Sequence, residues 1–94
     1  MNFSKALELL KQGKFVARKG WNGKCMYIYL SSGSSINVDD VLNRKLCEKL
    51  AKETNDGIVA INSHIDMKSA DGSLVIGWTA SQTDMLAEDW VIVE

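Results

Sequence analysis

Two dipeptides, Asn22-Gly23 and Asp71-Gly72, constrain this chain more than anything else in it. Each suits a hairpin turn that needs positive φ, and each is flanked by residues that favour strands. Lys14-Phe15-Val16-Ala17-Arg18 precedes the first, and Cys25-Met26-Tyr27-Ile28-Tyr29-Leu30 follows it. His64-Ile65-Asp66-Met67-Lys68-Ser69 precedes the second, its Ile65 and Met67 alternating with polar neighbours, and Leu74-Val75-Ile76 follows. The first pair predicts a hairpin with Trp21 displayed near its tip. Phe3, Ala6, Leu7 and Leu10 recur at helical spacing between a candidate N-cap, Asn2, and a terminating Gly13, which predicts a helix over 3–12. A second helix is expected in mid-chain, capped by Asn37, with Val38, Leu42, Leu46 and Leu50 as an i, i+4 stripe and Asn55-Asp56-Gly57 as its stop. Ser31-Ser32-Gly33-Ser34-Ser35 reads as a flexible connector, the apolar Ile58-Val59-Ala60-Ile61 follows the second helix, and Trp90 to Val93 reads as the last strand. The expected fold class is α+β: a small antiparallel β-sheet with an N-terminal helix and a second helix in the middle of the chain, in one domain over 1–94.

Composition narrows the functional classes. An apolar content of 46% with 24% charged residues matches ordinary globular chains and argues against disorder or coiled coil. No apolar run approaches the roughly 20 residues that span a bilayer, and Met1-Asn2-Phe3-Ser4-Lys5 opens into amphipathic pattern instead of a signal-peptide core, so a cytoplasmic protein with no membrane partner is expected. Cys25 and Cys47 lie far apart, in no CxxC spacing, and read as free thiols. A net charge of -1 speaks against a binder of DNA or RNA polymers.

The charges are nevertheless segregated. Residues 1–24 carry Lys5, Lys11, Lys14, Arg18, Lys19 and Lys24 against Glu8 alone, whereas residues 54–94 carry seven carboxylates against Lys68. Two readings stand side by side: the halves attract each other in the folded or assembled state, or they build a pocket offering cations to a phosphate and carboxylates to sugar hydroxyls or base edges.

Catalysis finds little support. His64, the one histidine, could serve a cysteine as general base with Asp66 orienting it, but a lone strand histidine is more often structural. No D-x-D, HExxH, cysteine cluster, P-loop or GxGxxG is present, so no metal, cofactor or catalytic residue is expected. Asp84, Glu88 and Asp89 could pair as acid and base; at that spacing they more often cap a turn, and Ser81-Gln82-Thr83-Asp84 has the capping pattern. The tryptophans favour binding. Trp21, in a glycine-rich loop, and Trp78, just before a polar turn, sit beside Lys, Asn, Ser and Gln and so resemble a nucleobase site, with core packing, common for tryptophan in small sheet proteins, as the other reading; Trp90 reads as core.

The strings KGWNGKCMYIYL (19–30), HIDMKSADGSLVIGW (64–78) and ASQTDMLAEDW (80–90), in that order, resemble the second type of Thoeris anti-defence protein, small phage-encoded sponges. The resemblance covers the chain except residues 31–63. It implies a non-enzymatic homotetramer that sequesters a cyclic ADP-ribose isomer made by TIR-domain enzymes in the infected bacterial cytoplasm, and in some relatives a separate pocket for cyclic dinucleotides. On this reading adenine stacks on Trp21 or Trp78, and the diphosphate meets Arg18, Lys24 and backbone amides around Asn22 and Gly23. Ribose hydroxyls meet Asp71 or Asp84, Gly72, Ser81 and Gln82 complete the ligand-binding set, and Leu86 and Trp90 anchor the last string to the core. A cyclic-nucleotide hydrolase and a structural or protein-interaction module are the alternatives.

Overall fold

The computed structural model describes all residues, 1–94, and the fold is α+β. The chain forms two compact units, one built from Met1–Ser31 and His64–Glu94, the other from Ser32–Ser63. In the first unit, α1 (Phe3–Lys11), β1 (Phe15–Arg18), β2 (Tyr27–Ser31), β5 (His64–Lys68), β6 (Leu74–Val75), α3 (Gln82–Leu86) and β7 (Trp90–Val93) build a five-stranded sheet of order β6-β5-β2-β1-β7 with two helices. Every pairing in it is antiparallel. The second unit holds β3 (Ser34–Asn37), a 3-10 turn (Val38–Asp40), α2 (Arg44–Glu53) and β4 (Ile58–Ile61), with β3 and β4 as an antiparallel ribbon.

α1 forms where its periodicity places it. The Asn2 side chain accepts from Lys5 N at 2.9 Å, and Gly13 follows the helix at φ +86°, a conformation costly for residues with a Cβ. The helix buries Ala6, Leu9 and Leu10 against Val16, Ile28, Met67 and Trp90, the core of this unit. Trp90 is fully buried; Phe3 lies 5.4 Å from its ring, and its indole Nε1 donates to the Asp84 carbonyl at 2.9 Å. Burying so large a side chain with its N–H satisfied contributes about 2–3 kcal/mol, which makes it the anchor of the C-terminal strand.

Several expectations change. The Asp71-Gly72 turn closes a hairpin between β5 and β6 with Gly72 at φ +92°, but the positive φ of the first loop belongs to Cys25, not to Asn22 or Gly23. Gly23 is required for space instead: a Cβ there would collide with the Met26 sulfur and come within 2.9 Å of the Ala70 Cβ. Trp21 is not displayed at a tip; it is half-buried and packs on the core. The serine run is not a loose connector, because Ser31 belongs to β2 and residues 34–37 pair with β4, backbone hydrogen bonds overriding weak strand propensity. Asn37 makes no side-chain cap. Val41 is extended and breaks the helix, which restarts at Arg44 behind Asn43, whose side chain accepts from Leu46 N at 3.0 Å. That break removes Leu42 from the proposed stripe and leaves it fully exposed, with Val38 as the buried residue of the four. Leu86 is 79% exposed and anchors nothing; Trp90 alone of that pair does so.

Candidate functional site

The end of β1 carries a guanidinium into a set of carboxylates. Arg18 Nε donates to Asp89 Oδ1 at 2.8 Å, and Arg18 Nη1 donates to Asp84 Oδ1 at 2.9 Å. Backbone locks the arrangement: Gly20 N donates to Asp89 Oδ2 at 2.7 Å and Lys19 N to the Asp89 carbonyl at 3.1 Å. A Cβ on Gly20 would approach that carboxylate oxygen to 2.7 Å, so glycine permits the close contact. The first loop is thereby stitched to the segment that follows α3.

Asp84 is the hub. Besides the bond from Arg18, its side chain accepts from Trp21 Nε1 at 3.2 Å and from Ser81 N at 3.1 Å, while Asp84 N donates to Ser81 Oγ at 3.0 Å. The Ser81/Asp84 exchange is a complete capping box at the start of α3, as the spacing predicts. Burial pushes the Asp84 carboxyl up, but the bonds from Arg18, Ser81 and Trp21 outweigh it and hold the group below the ordinary carboxylate range. Asp89 is also held low, chiefly by the Arg18 hydrogen bond, against burial and with help from Gly20 N–H. The same two carboxylates raise the pKa of Arg18.

Three indoles sit beside this network in edge-to-face contact. Trp21 lies 5.4 Å from Trp90 and 6.2 Å from Trp78, and Trp78 lies 6.4 Å from Trp90. Trp90 is sealed in the core; Trp21 and Trp78 are half-buried and pack against it. Near them, Gly23 packs against Ala70, which brings the first loop beside the β5–β6 turn. There Asp71 accepts from Ser73 N at 2.9 Å and Ser73 Oγ at 2.6 Å, bonds that lower its pKa while the residue stays exposed.

Of the residues singled out from sequence, Arg18, Trp21, Ser81 and Asp84 form one bonded network, with Trp78 in ring contact with it. Gly23 and Gly72 shape the two neighbouring loops, and Asn22, Lys24, Asp71 and Gln82 are exposed. Asp89 was legible only as a member of an acidic triplet; the sequence has no signal for its pairing with Arg18, because that pairing spans 71 positions. In the sequence Asp66 stands out only as a partner of His64. It is 2% exposed, accepts from Ser31 Oγ at 2.6 Å and Gly77 N at 2.8 Å, and lies 3.4 Å from His64 Nε2. Burial raises its pKa, and those partners more than reverse the shift. Two open clefts, of about 310 Å³ and 410 Å³, are lined by none of these residues.

The arrangement can offer a ligand two indole surfaces, exposed amide and hydroxyl groups, and charge held rigidly by hydrogen bonds. Residues 1–93 match the family model described as the Thoeris anti-defense 2-like domain. The chain is also 40% identical, over 93 residues, to Thoeris anti-defense 2 of Bacillus phage SP01, a match that covers 99% of this chain and 94% of the phage protein. A match of this extent fixes the lineage: the chain belongs to the Thoeris anti-defense 2-like family.

Proposed function

We propose that the protein is a non-catalytic sponge that counters Thoeris defence by binding and sequestering a cyclic ADP-ribose isomer in the bacterial cytoplasm. Family membership supports the anti-defence role. The observation that carries the ligand reading is the convergence of the three motif strings on Trp21 and Trp78, two half-buried indoles in ring contact, of which Trp21 is held by Asp84 and, through it, by Arg18 and Asp89. An adenine stacked on such a face gains about 1–3 kcal/mol.

Charge accounting refines the roles. Arg18 is already compensated by two carboxylates, so it braces Trp21 through Asp84 and does not neutralise a diphosphate. That task falls to the exposed Lys24 and to backbone N–H groups of the same loop. On this reading the exposed Asp71 accepts from ribose hydroxyls, whereas the buried Asp84 supports Trp21. A small protomer encloses a nucleotide best when another copy supplies the opposite wall, which is why a homotetramer belongs to this reading.

Calorimetry against cyclic ADP-ribose isomers and cyclic dinucleotides, followed by denaturation and identification of what is released, tests it. Intact ligand recovered from a tight complex is the expected result. Altered ligand would replace the sponge with a hydrolase, and no heat with any compound would leave a protein-interaction module.

A further inference from the structure

One charged side chain in the first unit is almost wholly buried yet lies outside the ligand surface just described. Asp66, on β5, is 2% exposed, and burial of a carboxylate is tolerated only when donors satisfy it. Its donors come from elsewhere in the chain. Ser31 Oγ, at the end of β2, reaches Oδ2 at 2.6 Å, and Gly77 N, beyond β6, reaches Oδ1 at 2.8 Å. The residue before it, Ile65, accepts from Trp78 N through its carbonyl at 2.7 Å. Two successive residues of β5 thus grip two successive N–H groups, those of Gly77 and Trp78.

The grip falls where the chain has little else to hold it. β6 pairs with β5 only through Met67↔Val75 and Lys68↔Leu74, and Ile76 is 66% exposed. Gly77 then adopts φ +84°, which turns the backbone into Trp78. The direction in which Trp78 leaves the main chain, and so its edge-to-face placement on Trp21 and Trp90, depends on that turn being kept.

We infer that Asp66 is a positioning residue for the Trp21–Trp78 surface: its carboxylate holds Gly77 N–H and thereby fixes the Trp78 indole, without touching ligand. The inference rests on the ligand reading above for its effect on affinity, but its effect on the indole is independent of any ligand.

The test uses the full chain with Asp66→Ala and Asp66→Asn, read by near-ultraviolet circular dichroism of the coupled indoles and by calorimetry with the cyclic ADP-ribose isomer that wild type binds most tightly. Asparagine keeps an oxygen for Gly77 N–H, so it retains the indole spectrum and binds within about threefold of wild type. Alanine leaves that N–H unmatched; it loses much of the indole band and binds at least about tenfold more weakly, through faster dissociation. A folded Asp66→Ala protein with wild-type spectrum and affinity overturns the inference, and so does an Asp66→Asn protein as impaired as the alanine variant. Should the alanine variant not fold, amide exchange decides on wild type: slow exchange at Gly77 N–H is expected, and fast exchange refutes the clamp. If wild type binds no cyclic nucleotide, the sponge reading fails, while the indole spectrum and Gly77 exchange still decide the role of Asp66.

Discussion

Replacing Asp84 with alanine separates a structural hub from a surface ligand group. The substitution deletes bonds accepted from Arg18 Nη1, Trp21 Nε1 and Ser81 N, while the bond from Trp90 Nε1 to the Asp84 carbonyl survives because it is main-chain. At about 0.5–1.5 kcal/mol each the lost bonds sum to roughly 3 kcal/mol, and relief of the buried carboxylate returns about 1, for a net loss of about 2 kcal/mol. In a domain of this size that lowers Tm by about 8–16 °C. Asp84→Asn keeps the shape without the charge and costs less, about 1 kcal/mol at neutral pH. Its pH dependence is the sharper test. The folded pKa of Asp84 lies below the ordinary value, so its stabilising effect is complete above about pH 4 and is lost as pH falls through the folded pKa. Urea unfolding at a series of pH values should therefore show wild type and Asp84→Asn converging on acidification from pH 6 towards pH 2. Parallel curves, or an alanine variant within about 0.5 kcal/mol of wild type, would refute the assignment of Asp84 as hub.

Trp21→Phe retains a ring but loses the donor to Asp84 Oδ1, and should cost about 1 kcal/mol in chemical denaturation while weakening cyclic-nucleotide binding more than Asn22→Ala does. Gly23→Ala forces a Cβ against Met26 and Ala70 and should destabilise by about 1–3 kcal/mol, measurable as a lower urea midpoint at unchanged m. Leu42→Ser, at a fully exposed position, should change stability by less than about 0.5 kcal/mol; a larger loss in thermal melts would show that this side chain is covered in solution. Arg18→Lys cannot reproduce the forked contact with two carboxylates and should lower Tm with a weaker salt dependence than a simple surface pair, checked by melts in low and high salt.

Local chemistry was legible in residue order wherever a short-range rule governs it. Asn2 and Gly13 bound α1, Ser81 and Asp84 form their capping box, and Asp71-Gly72 turns its hairpin, because each outcome depends on neighbours within a few positions. Each of the three motif strings carries one of the three indoles that meet edge to face. Long-range partners decided the rest. Nothing near Ser34–Asn37 announces a strand, since its hydrogen bonds come from Ile58–Ile61. Arg18 reads as a free cation until Asp84 and Asp89 arrive beside it, 66 and 71 positions later, and compensate its charge. Asp66 reads as one polar residue in an alternating strand until Ser31 and Gly77 enclose it. A charged side chain takes its role from what neutralises it, and only folding brings that partner within hydrogen-bond reach.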